Sequence, residues 1–427
     1  MTKEKRFNIY FICISLFVFI IAVIRSFKMG ITYDEAITYL NFVNHNEFAR
    51  LDIIANNHLL NTFLIKLITY IPNTEFNEFI IRLPNLIFYI IYIIYTYRLS
   101  KLYKQKYSIA TILLLNYSIN EFASLARGYL MAAAIVLAGI YYYKKWLLEE
   151  NKKDLIKALF VFLFSCIANT ITLIIFGCFL IDAIIRLIHQ KKLLDFVKNN
   201  KIVVTLLLIF SYLILIYHLF VCFNDKYLLY CKDNFFDCII YTPIRYYGIS
   251  FINPIILVLI ILIFISFICI NVKKIKFKKN NQFYMILFLF FIFIILKYIF
   301  PFKFPSGRTL IPFYSIYVIS LFDFFNLLND NKLIKITSFL ITIISIISFT
   351  KNLNVNYVRE WKDDRKIKQL AETKYKNNEK IFLHKDIKEK QILSTIFYYS
   401  KYKKLYSYQL MDENEYVHML LTTKTKK

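Results

Sequence analysis

The sequence predicts an all-α, multi-pass membrane protein of about eleven transmembrane helices with a small C-terminal α/β extracytoplasmic domain. Three observations carry that expectation. Hydrophobic residues make up 58% of the 427 positions and the mean hydropathy is +0.51, more apolar surface than a soluble globule can hide. The Lys and Arg residues fall in short clusters between long apolar runs. A polar segment follows the last run and is too long to be a simple helix end. Six Gly and seven Pro exclude a glycine-rich phosphate loop or a Rossmann turn, and with them nucleotide chemistry of those kinds. The net charge of +26 would suggest nucleic acid in a soluble protein, but its distribution assigns it to one membrane face and not to a nucleic-acid partner.

The basic clusters set the topology. Lys3, Lys5 and Arg6 precede the first run and place the amino terminus in the cytoplasm. Residues 7–27 then span outward and 83–98 return. The apolar piece 59–71 is too short to cross upright, so it reads as a helix against the outer interface inside a long exterior loop, 28–82. Residues 107–121 go out and 129–147 come back, with Asn120 to Arg127 outside. Cytoplasmic clusters flank 158–187 on both sides, so that run is read as two short crossings broken near Ala168-Asn169-Thr170. The remaining spans are 202–223, 249–271, 283–300, 309–328 and 333–350. Residues 1–350 thus form the membrane domain and 351–427 an exterior tail. Cys231 and Cys238 would pair only if their loop faces an oxidising compartment.

Chemistry is expected at the outer face. A pump or transporter should show charged residues at mid-membrane, and these span centres are nearly uncharged; Asp182, with Arg186 one turn on, and Asp323 lie near the cytoplasmic end. Polar groups gather instead in exterior stretches around Asp34, His58, Glu78 to Arg82, Glu121 to Arg127, and Lys303 to Arg308. A site on that face has no nucleotide sugar, so its substrate must arrive on lipid.

Five motifs in order resemble the GT-C fold glycosyltransferases, specifically the branch of protein O-mannosyltransferases and the lipid A aminoarabinose transferase. They are TYDEAITYLNF after the first span, NNHLLNTFLIKL, NEFIIRLPNLIF at the start of the second span, NEFASLARGYLMAAAIVLAGIYYY and GRTLIPFYSIYVIS. Leu59 stands where the family often has proline, and Leu125 where it often has a second acid. The resemblance implies transfer of a sugar from a polyprenyl-phosphate donor to a lipid, glycan or protein acceptor, by inverting single displacement. A bacterial inner-membrane setting and an undecaprenyl carrier accord with a composition rich in Asn, Lys and Ile. A flippase or transporter of lipid-linked glycans is the alternative.

Each motif residue has a chemical reading and a plainer one. A carboxylate beside the acceptor can take its proton, whereas a lipid phosphate leaves as a stable anion and needs only positive charge. The resemblance makes Asp34 that base, with Glu35 beside it in the catalytic pair, orienting its neighbours or the acceptor; the plain alternative is an acidic pair capping an interfacial helix. Arg308 with Lys303 would hold the donor phosphate, or Arg308 would be a headgroup anchor. Arg127 would pair with Glu121 or join the phosphate site. Tyr33, Asn57, His58 and Glu121 are the supporting residues. Asp34 and His58 are candidate ligands for a divalent ion, set against a satisfied interfacial histidine. Glu78 and Arg82, four apart on a helix, are expected to pair.

Overall fold

The computed structural model describes residues 1–43, 57–72, 74–224, 284–299, 307–327 and 331–358, with 367–369, 371–373, 394, 397, 398 and 401 of the tail. Among these residues all regular structure is helical and no strand occurs. The strands expected of an α/β tail would fall on 351–427, most of which lies outside the described residues.

Helix starts follow from short polar caps. Thr2 caps α1 (Lys3–Lys28), its side chain accepting from the Lys5 amide, and Thr32 caps the short α2 (Tyr33–Ile37), which runs on as a π-helical turn, Thr38–Val43. Helix α3 (Leu59–Thr69) follows. Asn77, Asn116 and Asn151 cap α4 (Glu78–Ser100), α6 (Tyr117–Ala123) and α8 (Lys152–Ala168) through their side-chain oxygens. Between these lie α5 (Lys106–Leu114) and α7 (Gly128–Glu149), and then come α9 (Thr172–His189), α10 (Leu193–Asn199) and α11 (Lys201–Asn224). The last elements are α12 (Tyr284–Ile299), a 3-10 turn (Gly307–Phe313) leading into α13 (Tyr314–Leu327), and α14 (Asn331–Asn352).

By length and composition six of these segments can cross a membrane: α1, α4, α9, α11, the turn with α13, and α14. A seventh arises if α6 and α7, bent by 118° at their junction, form one broken span. Two expectations change here. Residues 107–121 are not one helix, because Asn116 draws the Ile119 amide onto its side chain and starts a new helix after a break at Leu115. The stretch Asn120 to Arg127, expected as the outside connection between two spans, is buried at every residue, its first half helical and its second half a tight bend. The expected break in 158–187 is present between Ala168 and Thr172, where the Asn169 side chain accepts from the Ile171 amide.

The molecule is organised around α7, which is buried on nearly every side. Ala132, Ala133, Ala134, Ala138 and Gly139 keep its surface low, so neighbouring helices approach closely. A methyl group at Gly139 would stand 2.6 Å from the Phe162 ring of α8, which is stacked on Phe179 of α9. Helices α1, α11 and α14 instead leave Ile, Leu and Phe side chains exposed, a surface suited to lipid tails.

Charge is paired where it is buried. At one end of the bundle Lys144 of α7 lies 2.5 Å from Asp323 of α13, and Asp182 takes Arg186 at 2.9 Å and the Tyr143 hydroxyl at 2.5 Å. Lys144 is an interior charge. At the opposite end the tail meets the segments that flank α2 and start α4. Tyr398 accepts from the Ile31 amide at 2.9 Å, Lys401 lies 2.5 Å from Glu78, and Arg25 donates to the Asn354 and Tyr357 carbonyls.

These contacts put the tail on the side of the 28–82 loop, and the length of α7 puts Lys152 on the other side. A topology reporter fused after Asn352 and one inserted within 44–56 should therefore read the same side of the membrane, and one at Lys152 the opposite side. Opposite readings from the first two would break this architecture.

Candidate functional site

The site begins with a helix start. Thr32 and Glu35 form a reciprocal capping box: the Thr32 hydroxyl accepts from the Glu35 amide at 3.3 Å, and Glu35 Oε2 accepts from the Thr32 amide at 2.9 Å. Glu35 is engaged further. Its Oε1 accepts from Arg82 Nε at 2.8 Å and from the Ala126 amide at 2.7 Å, and its Oε2 takes Arg82 Nη2 at 2.7 Å. Arg82 spends its other donors on the Ser26, Met29 and Gly30 carbonyls. Arg82 therefore does not pair with Glu78, as expected from their spacing, because Glu78 faces Lys401 and Lys368 of the tail. Glu35, expected beside the chemistry, is a tie between the loop, α4 and the bend before α7.

Asp34, its neighbour, points elsewhere. Its carboxylate Oδ2 lies 2.5 Å from Arg308 Nη1 and 3.7 Å from Arg127 Nη2, an ion-pair geometry without an aligned hydrogen bond at Oδ2. Arg127 also donates through Nη1 to the Asp34 carbonyl at 3.3 Å and to the Thr38 hydroxyl at 3.0 Å. Both guanidinium groups stand 5.8 Å from the centre of the Tyr129 ring. His58 meets the same ring edge-on at 4.6 Å. All of Asp34, His58, Arg127 and Arg308 are buried.

Two helix ends bring His58 there. The imidazole hydrogen-bonds the Ala168 backbone at the end of α8, and Gly128 gives both groups room. A Cβ on Gly128 would stand 2.3 Å from the Ala168 oxygen and 2.7 Å from His58 Cβ, so glycine is required by close approach. Burial, and then the charges of Arg127 and Arg308, hold the His58 pKa well below the ordinary value, so the ring is neutral.

The other expected residues divide. Asn57 sits beside His58 and its side-chain oxygen accepts from Thr62 at 2.8 Å. Tyr33 opens α2 half-buried. Glu121 is not the partner of Arg127: it accepts from Tyr117 at 2.9 Å and forms its ion pair with Arg25 at 3.6 Å, while Arg127 goes to Asp34. Lys303, Cys231 and Cys238 lie outside the described residues. Sequence reading missed Arg25 and the platform Tyr129; an arginine at the last turn of an otherwise apolar span was the available signal for the first.

A divalent ion does not fit Asp34 with His58. Two guanidinium groups already converge on that carboxylate, and among the described residues no group of three His, Cys, Asp or Glu exists that would hold a metal.

The two acids separate by experiment. Glu35→Gln should cost about 3–5 kcal/mol of stability, since it strands a fully buried guanidinium, and it should lower the melting temperature in detergent. Asp34→Asn should lower melting by less: it removes the charge that balances Arg308 and Arg127, but its Oδ2 makes no aligned hydrogen bond, whereas Glu35 accepts four. Equal losses would make Asp34 another structural tie. No family model, curated protein or solved structure matches this chain.

Proposed function

We propose that this chain is an integral membrane glycosyltransferase of the GT-C type. It moves a sugar from a polyprenyl-phosphate carrier to a lipid, glycan or protein acceptor at the extracytoplasmic face. One observation carries the reading: Arg127 and Arg308, far apart in sequence, converge on Asp34. A carboxylate to take a proton and guanidinium groups to hold a phosphate are the two parts this reaction needs. The order of motifs shared with the protein O-mannosyltransferase and aminoarabinose transferase branch supports it.

The ion pair suggests how the parts work together. Without substrate, Arg308 rests on Asp34. A carrier phosphate offers Arg308 a doubly hydrogen-bonding anion and draws it away, which frees the carboxylate. The acceptor hydroxyl or amine then attacks the anomeric carbon, its proton passes to Asp34, and the carrier phosphate departs with the bonding electrons. The configuration inverts in one displacement. Charge gathers on the phosphate as the bond breaks, so Arg127 and Arg308 stabilise the transition state more than the ground state. Glu35 takes no part in bond making and holds Asp34 in place. In the same proposal eleven spans cross a bacterial inner membrane, the amino terminus is cytoplasmic, the tail is outside and the carrier is undecaprenyl phosphate.

Asp34→Asn should abolish transfer from a synthetic undecaprenyl-phosphate sugar, since removal of a general base costs about 10²–10⁴ in rate. Arg308→Ala should weaken both donor affinity and turnover while acceptor affinity barely moves. Arg308→Lys should recover part of the loss, because a point charge lacks the fork. Near-normal transfer by correctly inserted Asp34→Asn would remove Asp34 as the base. An effect of Arg308→Ala on the acceptor alone would move the phosphate to Arg127.

A further inference from the structure

Beside the Asp34 cluster lies a corner of buried polar atoms whose bonding capacity the fold leaves unused. His58 Nε2, Asn57 Nδ2 and Asn169 Nδ2 are all buried and meet no hydrogen-bond partner among the described residues. Buried polar atoms left this way are uncommon in native proteins and cost stability. Three of them at one junction call for an occupant.

Their chemistry is defined by what each residue already does. His58 makes its hydrogen bond to the Ala168 backbone, so Nε2 is the lone-pair nitrogen and an acceptor. Asn57 uses its oxygen on the Thr62 hydroxyl at 2.8 Å, and Asn169 uses its oxygen on the Ile171 amide at 3.2 Å, so both present amide donors. Asn57 adjoins His58 in the chain and Asn169 adjoins Ala168, so the contact between α3 and the α8–α9 break joins all three residues. One acceptor and two donors on residues joined at this contact suit groups that donate and accept together, which describes the hydroxyls of a sugar and not a phosphate or an acyl chain.

The geometry points to this corner as the pocket for the sugar carried on the donor, formed by His58, Asn57 and Asn169 next to the phosphate-holding arginines. The assignment rests on the proposed glycosyl transfer and specifies where its sugar lies. The Tyr129 ring, which His58 meets on edge at 4.6 Å and over which Arg308 also lies, links pocket and phosphate site.

The test uses the full chain purified in detergent and measures binding, not turnover. The probes are undecaprenyl phosphate alone and undecaprenyl phosphate bearing glucose, mannose, galactose or N-acetylglucosamine. The wild-type protein should bind at least one sugar-bearing carrier about tenfold or more tighter than the bare carrier. His58→Ala and Asn169→Ala should each remove most of that gain, leave bare-carrier affinity unchanged and retain a cooperative melt. His58→Gln, which again presents an acceptor, should restore part of it. The pocket is overturned if both alanine variants keep the full gain, or if they lose bare and sugar-bearing carriers in equal proportion. It is also overturned if the wild type binds every carrier alike, which would leave the phosphate site standing. Failure of the wild type to bind any carrier would instead sink the glycosyltransferase reading itself.

Discussion

The fully buried pair of Arg82 and Glu35 is the interaction on which the rest of the site depends. A guanidinium removed from water is tolerated only when its donors are met and its charge is balanced. Here Nε and Nη2 go to Glu35, and Nη1 and Nη2 also reach three carbonyls at the end of α1 and just after it. Glu35 in turn accepts the Ala126 amide. The residues next along the chain from these two anchors are Asp34 and Arg127. One buried pair therefore places both a carboxylate and a cation of the candidate site, although it touches neither.

Adjacent acids have been put to different uses by helix geometry. Successive residues on a helix point about 100° apart, so when Glu35 turns inward to α4 and the α6–α7 bend, Asp34 must face another direction. It faces Arg308, delivered by the 3-10 turn before α13, and Arg127, delivered by the bend before α7. The bend exists because Gly128 lets α7 start against the Ala168 carbonyl and His58. A larger residue there would push apart the two helix ends that carry the imidazole and the asparagine amides.

The membrane sets the remaining constraints. No water reaches the interior to satisfy a lone charge, so interior ions occur as pairs such as Lys144 with Asp323 and Asp182 with Arg186. These lie at the end of α7 remote from Asp34 and hold α7, α9 and α13 together there. At the near end the tail performs a similar service, with Phe397 and Tyr398 packed among Ile31, Ala36, Tyr39 and Phe76. The backbone around Asp34 is thus held by Arg82 on one side and by the tail on the other. A fixed backbone is what a precisely oriented carboxylate needs.

What the sequence determined by itself was local and periodic. Long apolar runs and basic clusters defined the helices, and the break near Asn169 was legible because basic clusters flank 158–187 on both sides. That Asp34, Arg127 and Arg308 belong together was also legible, and the three do meet. Partner choice was not legible. Spacing of four suggested Glu78 with Arg82, and nearness in the chain suggested Glu121 with Arg127, yet Arg82 chose Glu35, Glu121 chose Arg25 and Glu78 chose the tail. A charged side chain reaches several angstroms in any direction, so its partner depends on which helices pack beside it. That is decided by the small residues along α7 and by burial, which only the tertiary structure brings together.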